Sequence, residues 1–148
     1  MDYTAVPDQG LKDILDAIEF RHKNCLLGDP VLTFGTDADK CKVSAFHYRL
    51  NGVEYYKAAA DDIASSSPAT TTSVQFRKDI VAIDSAGAIT LIEGTAATSQ
   101  ALAELPDIPT TKLGLGYIEV QNSFTNESTD LVAGNFKRFT SSIDVTYT

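Results

Sequence analysis

The chain has no tryptophan, one methionine, two cysteines and two histidines among its 148 residues. Each shortage narrows the field. Two cysteines, Cys25 and Cys41, are too few for a disulfide-stapled scaffold and match no metal-ligand spacing. They are expected to be reduced thiols made in a cytoplasm, with a bridge between them as the alternative. His22 and His47 belong to no HExxH motif and no Cys/His cluster, so neither is expected to ligate a metal or move protons in catalysis. Apolar runs are short, well under the ~18 residues of a membrane span, and the N-terminal stretch lacks the basic start of a signal peptide. Basic residues are also scarce. Twelve Lys plus Arg stand against 20 Asp plus Glu, for a net charge of -8. Arg21-His22-Lys23 and Lys137-Arg138 are short clusters, so no nucleic-acid partner is expected.

Motifs that carry chemistry are missing in the same way. There is no GxSxG elbow and no phosphate-cradling glycine run, since Gly114-Leu115-Gly116 leads into a strand-like stretch. Asp37-Ala38-Asp39 starts like a calcium loop but lacks the later ligands. The expectation is a protein with no catalytic residue, no cofactor and no metal.

What is present reads as one helix followed by strands. Leu11, Ile14, Leu15 and Ile18 keep the i, i+3, i+4, i+7 spacing that stacks apolar groups on one helical face. Asp8 is the expected N-cap, and Gly28-Asp29-Pro30 the expected stop. Two readings of that face stay open: a helix packed on its own domain, or an arm docking on a neighbouring subunit. The chain divides accordingly into a helical arm, 1–29, and a β-rich domain, 30–148. The fold class expected is mainly β, an antiparallel sandwich or barrel-like domain with an N-terminal α-helix. A chain of this length can bury roughly 68–70% of its unfolded surface, so a real core is within reach.

The clearest local signal is Asn51-Gly52 between two aromatic and β-branched runs, a type I′ hairpin signature. A two-residue loop pairs Leu50 with Val53, Tyr48 with Tyr55, Phe46 with Lys57, and Arg49 with Glu54. The Tyr48/Tyr55 face is expected to be buried. A second hairpin is expected over 74–93, with Gly87 in the left-handed position of its turn. Residues 94–105 read as a short helix or ordered loop. Pro106 and Pro109 enforce an extended connection, and strands follow at 115–120 and 143–147.

Three stretches, in order, resemble a group of small tailed-bacteriophage virion proteins. They are Tyr48-Arg49-Leu50-Asn51-Gly52-Val53-Glu54-Tyr55-Tyr56-Lys57-Ala58-Ala59-Ala60, then Ile83-Asp84-Ser85-Ala86-Gly87-Ala88-Ile89-Thr90, then Leu105-Pro106-Asp107-Ile108-Pro109 with Leu115-Gly116-Tyr117-Ile118-Glu119-Val120, echoed further by Phe124 to Leu131. The likeness spans about residues 43–135 and leaves the N-terminal segment without a counterpart. It implies a structural role in the virion, made in the host bacterial cytoplasm, and carries over no catalytic residue. Within it, the acidic balance disfavours a place beside packaged DNA. The expected role is a decoration or cement protein on the outer capsid surface. Its partners would be the major capsid protein and further copies of itself, as a homotrimer, with Leu11, Ile14, Leu15 and Ile18 as the contact face. The alternative is a tail or head fibre, or a spike component, with a receptor- or glycan-binding role.

Overall fold

The structure, a computed structural model, describes residues 9–34, 41–63, 75–120 and 136–139. Among the described residues one helix, α1 (Gln9–Lys23), precedes ten strands. These are β1 (Cys25–Leu26), β2 (Leu32–Phe34), β3 (Cys41–Val43), β4 (Phe46–Leu50), β5 (Val53–Lys57), β6 (Ala60–Ile63), β7 (Arg77–Asp84), β8 (Ile89–Ile92), β9 (Lys112–Val120) and β10 (Phe136–Arg138). They form three antiparallel sheets ordered β1-β4-β5, β2-β3-β6 and β10-β9-β7-β8. The mainly-β expectation holds. No sheet closes into a barrel among the described residues, so the barrel-like form is not adopted. Asp8 and the strand expected at 143–147 lie outside the described residues.

The first hairpin folds in the expected register, with Leu50↔Val53, Arg49↔Glu54, Tyr48↔Tyr55 and Phe46↔Lys57. Asn51 and Gly52 take φ of 53° and 82°, as a type I′ turn requires. Burial is less even than expected. Phe46, Tyr48 and Leu50 are buried, but Val53 stays 53% exposed, because β5 is the edge of its sheet. The second hairpin is β7–β8, with Ile83↔Ile89 next to the turn and Gly87 at φ 78°.

The four-stranded sheet is covered on both faces, which is why Ile80-Val81-Ala82-Ile83 reads as an unbroken apolar run. One face gives Val81, Ile83, Ile89, Leu113, Leu115, Ile118 and Val120 to the main core, where they join Phe46, Tyr48, Leu50, Leu32 and Val43 of the other two sheets. On the other face Ile80 and Ala82 pack with Ile108, Leu105, Tyr117 and Phe139. The proline-flanked stretch around Ile108 therefore acts as a lid over the sheet rather than a bare connection. Residues 94–105 form an ordered loop with a turn at Ser99–Ala103, not a helix, and Ala97 bridges Phe76.

A β-bulge explains how β9 feeds the main core from both odd and even positions. Val81 faces Gly116 while its neighbour Ala82 faces Gly114, so Leu115 is the extra residue. Side-chain parity reverses there. Leu113 and Leu115 point into the main core before the bulge, and Ile118 and Val120 after it.

Candidate assembly surface

The helix ends earlier than Gly28-Asp29-Pro30 would place it, at Lys23. The reason is tertiary. Cys25 and Leu26 pair with Arg49 and Tyr48, so the chain enters a sheet before the glycine is reached. The boundary drawn at 29/30 is therefore crossed by strand hydrogen bonds. The Asn51-Gly52 turn also receives the helix end. Gly52 N–H donates to the Lys23 carbonyl at 2.9 Å, and Asn51 N–H donates to Oδ1 of buried Asn24 at 2.9 Å. A helix leaves its last carbonyls without internal partners, so this contact satisfies one of them and fixes the C-terminal end of α1. Arg21, His22 and Lys23 in the last turn complement the helix dipole there.

Three large apolar side chains of the helix face outward. Leu11, Ile14 and Ile18 are 47%, 59% and 56% exposed, while Leu15 is half-buried. Of the four expected interface residues, three thus share a solvent-facing stripe and Leu15 lies at its edge, turned partly inward. Lys12–Asp16 at 3.2 Å and Lys23–Glu19 at 2.5 Å form i,i+4 ion pairs elsewhere on the helix surface.

A second exposed surface lies on the outer face of β4–β5. Tyr56, 60% exposed, meets His47 with ring centroids 4.9 Å apart. Glu54 reaches His47 Nδ1 at 3.7 Å and Arg49 at 3.9 Å, the latter realising the expected cross-strand pair. The exposure of Tyr56 was not read from sequence, although its period-2 offset from Tyr55 is the signal that places it outside.

Interior polar groups serve the fold. The Tyr48 hydroxyl donates to the Asp84 carbonyl at 2.7 Å, and Lys57 Nζ to the Gly87 carbonyl at 2.9 Å. These two bonds clasp the β7–β8 turn to the first hairpin and account for a lysine opposite Phe46. Burial raises the Tyr48 phenol above its ordinary range, with Asp84 and then Tyr55 adding to the shift. Asp79, fully buried, accepts from Arg77 Nε and Nη2 at 2.7 and 2.8 Å and from Gly94 N–H at 3.0 Å. Arg77 also meets Glu93 at 3.1 Å. Cys25 carries a free, half-buried thiol.

Among the described residues, no group of three or more His, Cys, Asp or Glu is placed to hold a metal ion. No described helix is long and apolar enough to cross a membrane. Comparison with family models, with curated proteins and with solved structures found no match.

Proposed function

We propose that the protein is a non-enzymatic structural component of a tailed-bacteriophage virion, a decoration or cement protein on the outer capsid surface. The exposed Leu11/Ile14/Ile18 stripe on an end-anchored helix carries this reading. A folded domain gains nothing by wetting three large aliphatic side chains in a row. A partner that covers them recovers roughly 1.5–3 kcal/mol for each side chain fully buried. The ordered likeness to small virion proteins over about 43–135 supports the virion setting, and the net charge of -8 supports an outer rather than a DNA-facing position. Its partners in this reading are the major capsid protein and further copies of the chain, as a homotrimer.

The alternative is a fibre or spike component with a receptor- or glycan-binding role. The specific observation on its side is the exposed Tyr56/His47 face beside Glu54 and Arg49, since aromatics and arginine are the residues enriched in recognition surfaces. Labelling intact particles with an antibody to the protein separates the two. Uniform labelling of the shell is expected. Labelling confined to the tail, or a protein missing from particles, would sink the capsid reading.

A further inference from the structure

We infer that Asn51-Gly52 is a self-modification site, deamidated when its turn flips, and that the seat of α1 on the turn is the latch that holds the reaction off. The inference stands apart from the virion reading and needs no partner.

The chemistry belongs to the pair. The main-chain nitrogen after an asparagine can attack the side-chain amide carbon, and glycine, with no Cβ, offers that nitrogen with least hindrance. Here the Gly52 nitrogen bonds to Asn51 Cγ, the Cγ–Nδ2 bond breaks, and ammonia leaves with the proton of the Gly52 N–H. Water then opens the cyclic imide at one of its two carbonyls. One opening gives aspartate, and the other gives an isoaspartate whose main chain runs through Cβ and Cγ. Water is taken up, ammonia is released, and nothing is oxidised or reduced. Both residues are exposed, and nothing lies within 4 Å of where a Gly52 Cβ would sit.

The folded turn withholds the reaction. With φ of 53° and 82°, Asn51 and Gly52 form a type I′ turn, which sets ψ of the first residue at about +30°. The Gly52 nitrogen then lies across the Cα–C bond from Cβ, out of reach of Cγ. A type II′ turn keeps the positive φ of Asn51 but moves ψ to about -120°. That value eclipses the nitrogen with Cβ, as ring closure requires. The two turns differ by a flip of the peptide plane between residues 51 and 52. Gly52 accepts either sign of φ, and both turns suit a two-residue hairpin, so β4 and β5 keep their register through the flip.

The end of α1 opposes that flip. Gly52 N–H donates to the Lys23 carbonyl at 2.9 Å, and the flip turns this N–H away. Asn51 N–H, donating to Oδ1 of buried Asn24 at 2.9 Å, holds the preceding plane. The helix end must lift for Asn51 to react, which is a local opening rather than unfolding. The product resists return. Either acid sets a new negative charge beside the last carbonyls of α1, where the helix dipole is already negative. Isoaspartate also adds a carbon to the main chain of a loop whose register depends on its length. The change runs one way and unseats the helix.

Timed incubation of the full chain in mildly alkaline buffer, read by peptide mass mapping, tests this. Asn51 should convert to the acid at least ~10-fold more slowly in the folded protein than in the same protein in urea. Asn24→Ala removes the acceptor of the Asn51 N–H and should speed the folded rate severalfold. Gly114→Ala presses on Ile108 and Phe139 rather than on the turn, and should leave that rate unchanged. Hydrogen exchange at the Gly52 amide of the unaltered protein should be slowed by a similar factor, which reads the latch without any variant. Equal folded and unfolded rates, or a freely exchanging Gly52 amide, would overturn the inference. So would an Asn24→Ala rate no higher than the parent's, or an equal acceleration by Gly114→Ala. The isolated modified protein should lose helical circular dichroism, and an undiminished signal would overturn the latch as well.

Discussion

Single residues decide how the interior tolerates charge and pH. Asp79 has no exposed surface and is held by Arg77 and the Gly94 N–H. Asp79→Ala would strip the guanidinium of its buried carboxylate, at a cost of about 3–5 kcal/mol. A fall in the urea midpoint with unchanged slope checks it. The Tyr48 phenol is raised in the folded state, so it stays protonated after an unfolded-chain tyrosine, near 10, has begun to ionise. The unfolded state then binds fewer protons, and stability falls with rising pH. That contribution is intact below pH ~10 and is lost as pH climbs through the raised value. Tyr48→Phe should lose about 1 kcal/mol at neutral pH, the worth of the bond to the Asp84 carbonyl, yet show a shallower alkaline decline in thermal melts. Equal alkaline slopes in the two proteins would contradict this assignment.

At the scale of elements, local chemistry was legible and long-range pairing was not. A two-residue loop with Asn51 and Gly52 at positive φ admits one register, so all the pairs of β4 and β5 could be read in advance. Gly52→Val has open space for its new atoms, so its cost comes from backbone strain alone, about 1 kcal/mol or more, readable in a melting curve. The bulge at Leu115 left no mark of its own in the sequence. Gly114 does show why it needs to be what it is. A Cβ there would sit 2.6 Å from Ile108 Cδ1 and 2.7 Å from Phe139 Cε2, both covering the back of the sheet. Gly114→Ala should destabilise by about 1–3 kcal/mol through overpacking, measurable by chemical denaturation. The helix was legible as a pattern, but its end was not. The pairing of Cys25 and Leu26 with β4 joins residues that only the fold brings together.

For the whole molecule, the three-sheet arrangement depends on contacts between segments far apart in sequence, of which β7 with β9 is the longest pairing. Periodicity says that such strands exist and is silent on their neighbours, so a sandwich or barrel-like expectation could go no further. The apolar helix face was legible as four residues, and the structure divides them into three exposed and one half-buried. Because Ile18 is outward, Ile18→Asp should leave the melting temperature of the dilute protein nearly unchanged, within the ~0.5 kcal/mol usual for surface substitutions. A large drop would place that side chain in the core instead. The seat of α1 on the Asn51-Gly52 turn has a geometric consequence. The turn is the pivot from which the helix departs, so its backbone angles set the aim of the helix relative to the sheets. A residue inserted into that turn would swing the exposed Leu11, Ile14 and Ile18 to a new heading relative to the sheets while leaving the helix itself as it was.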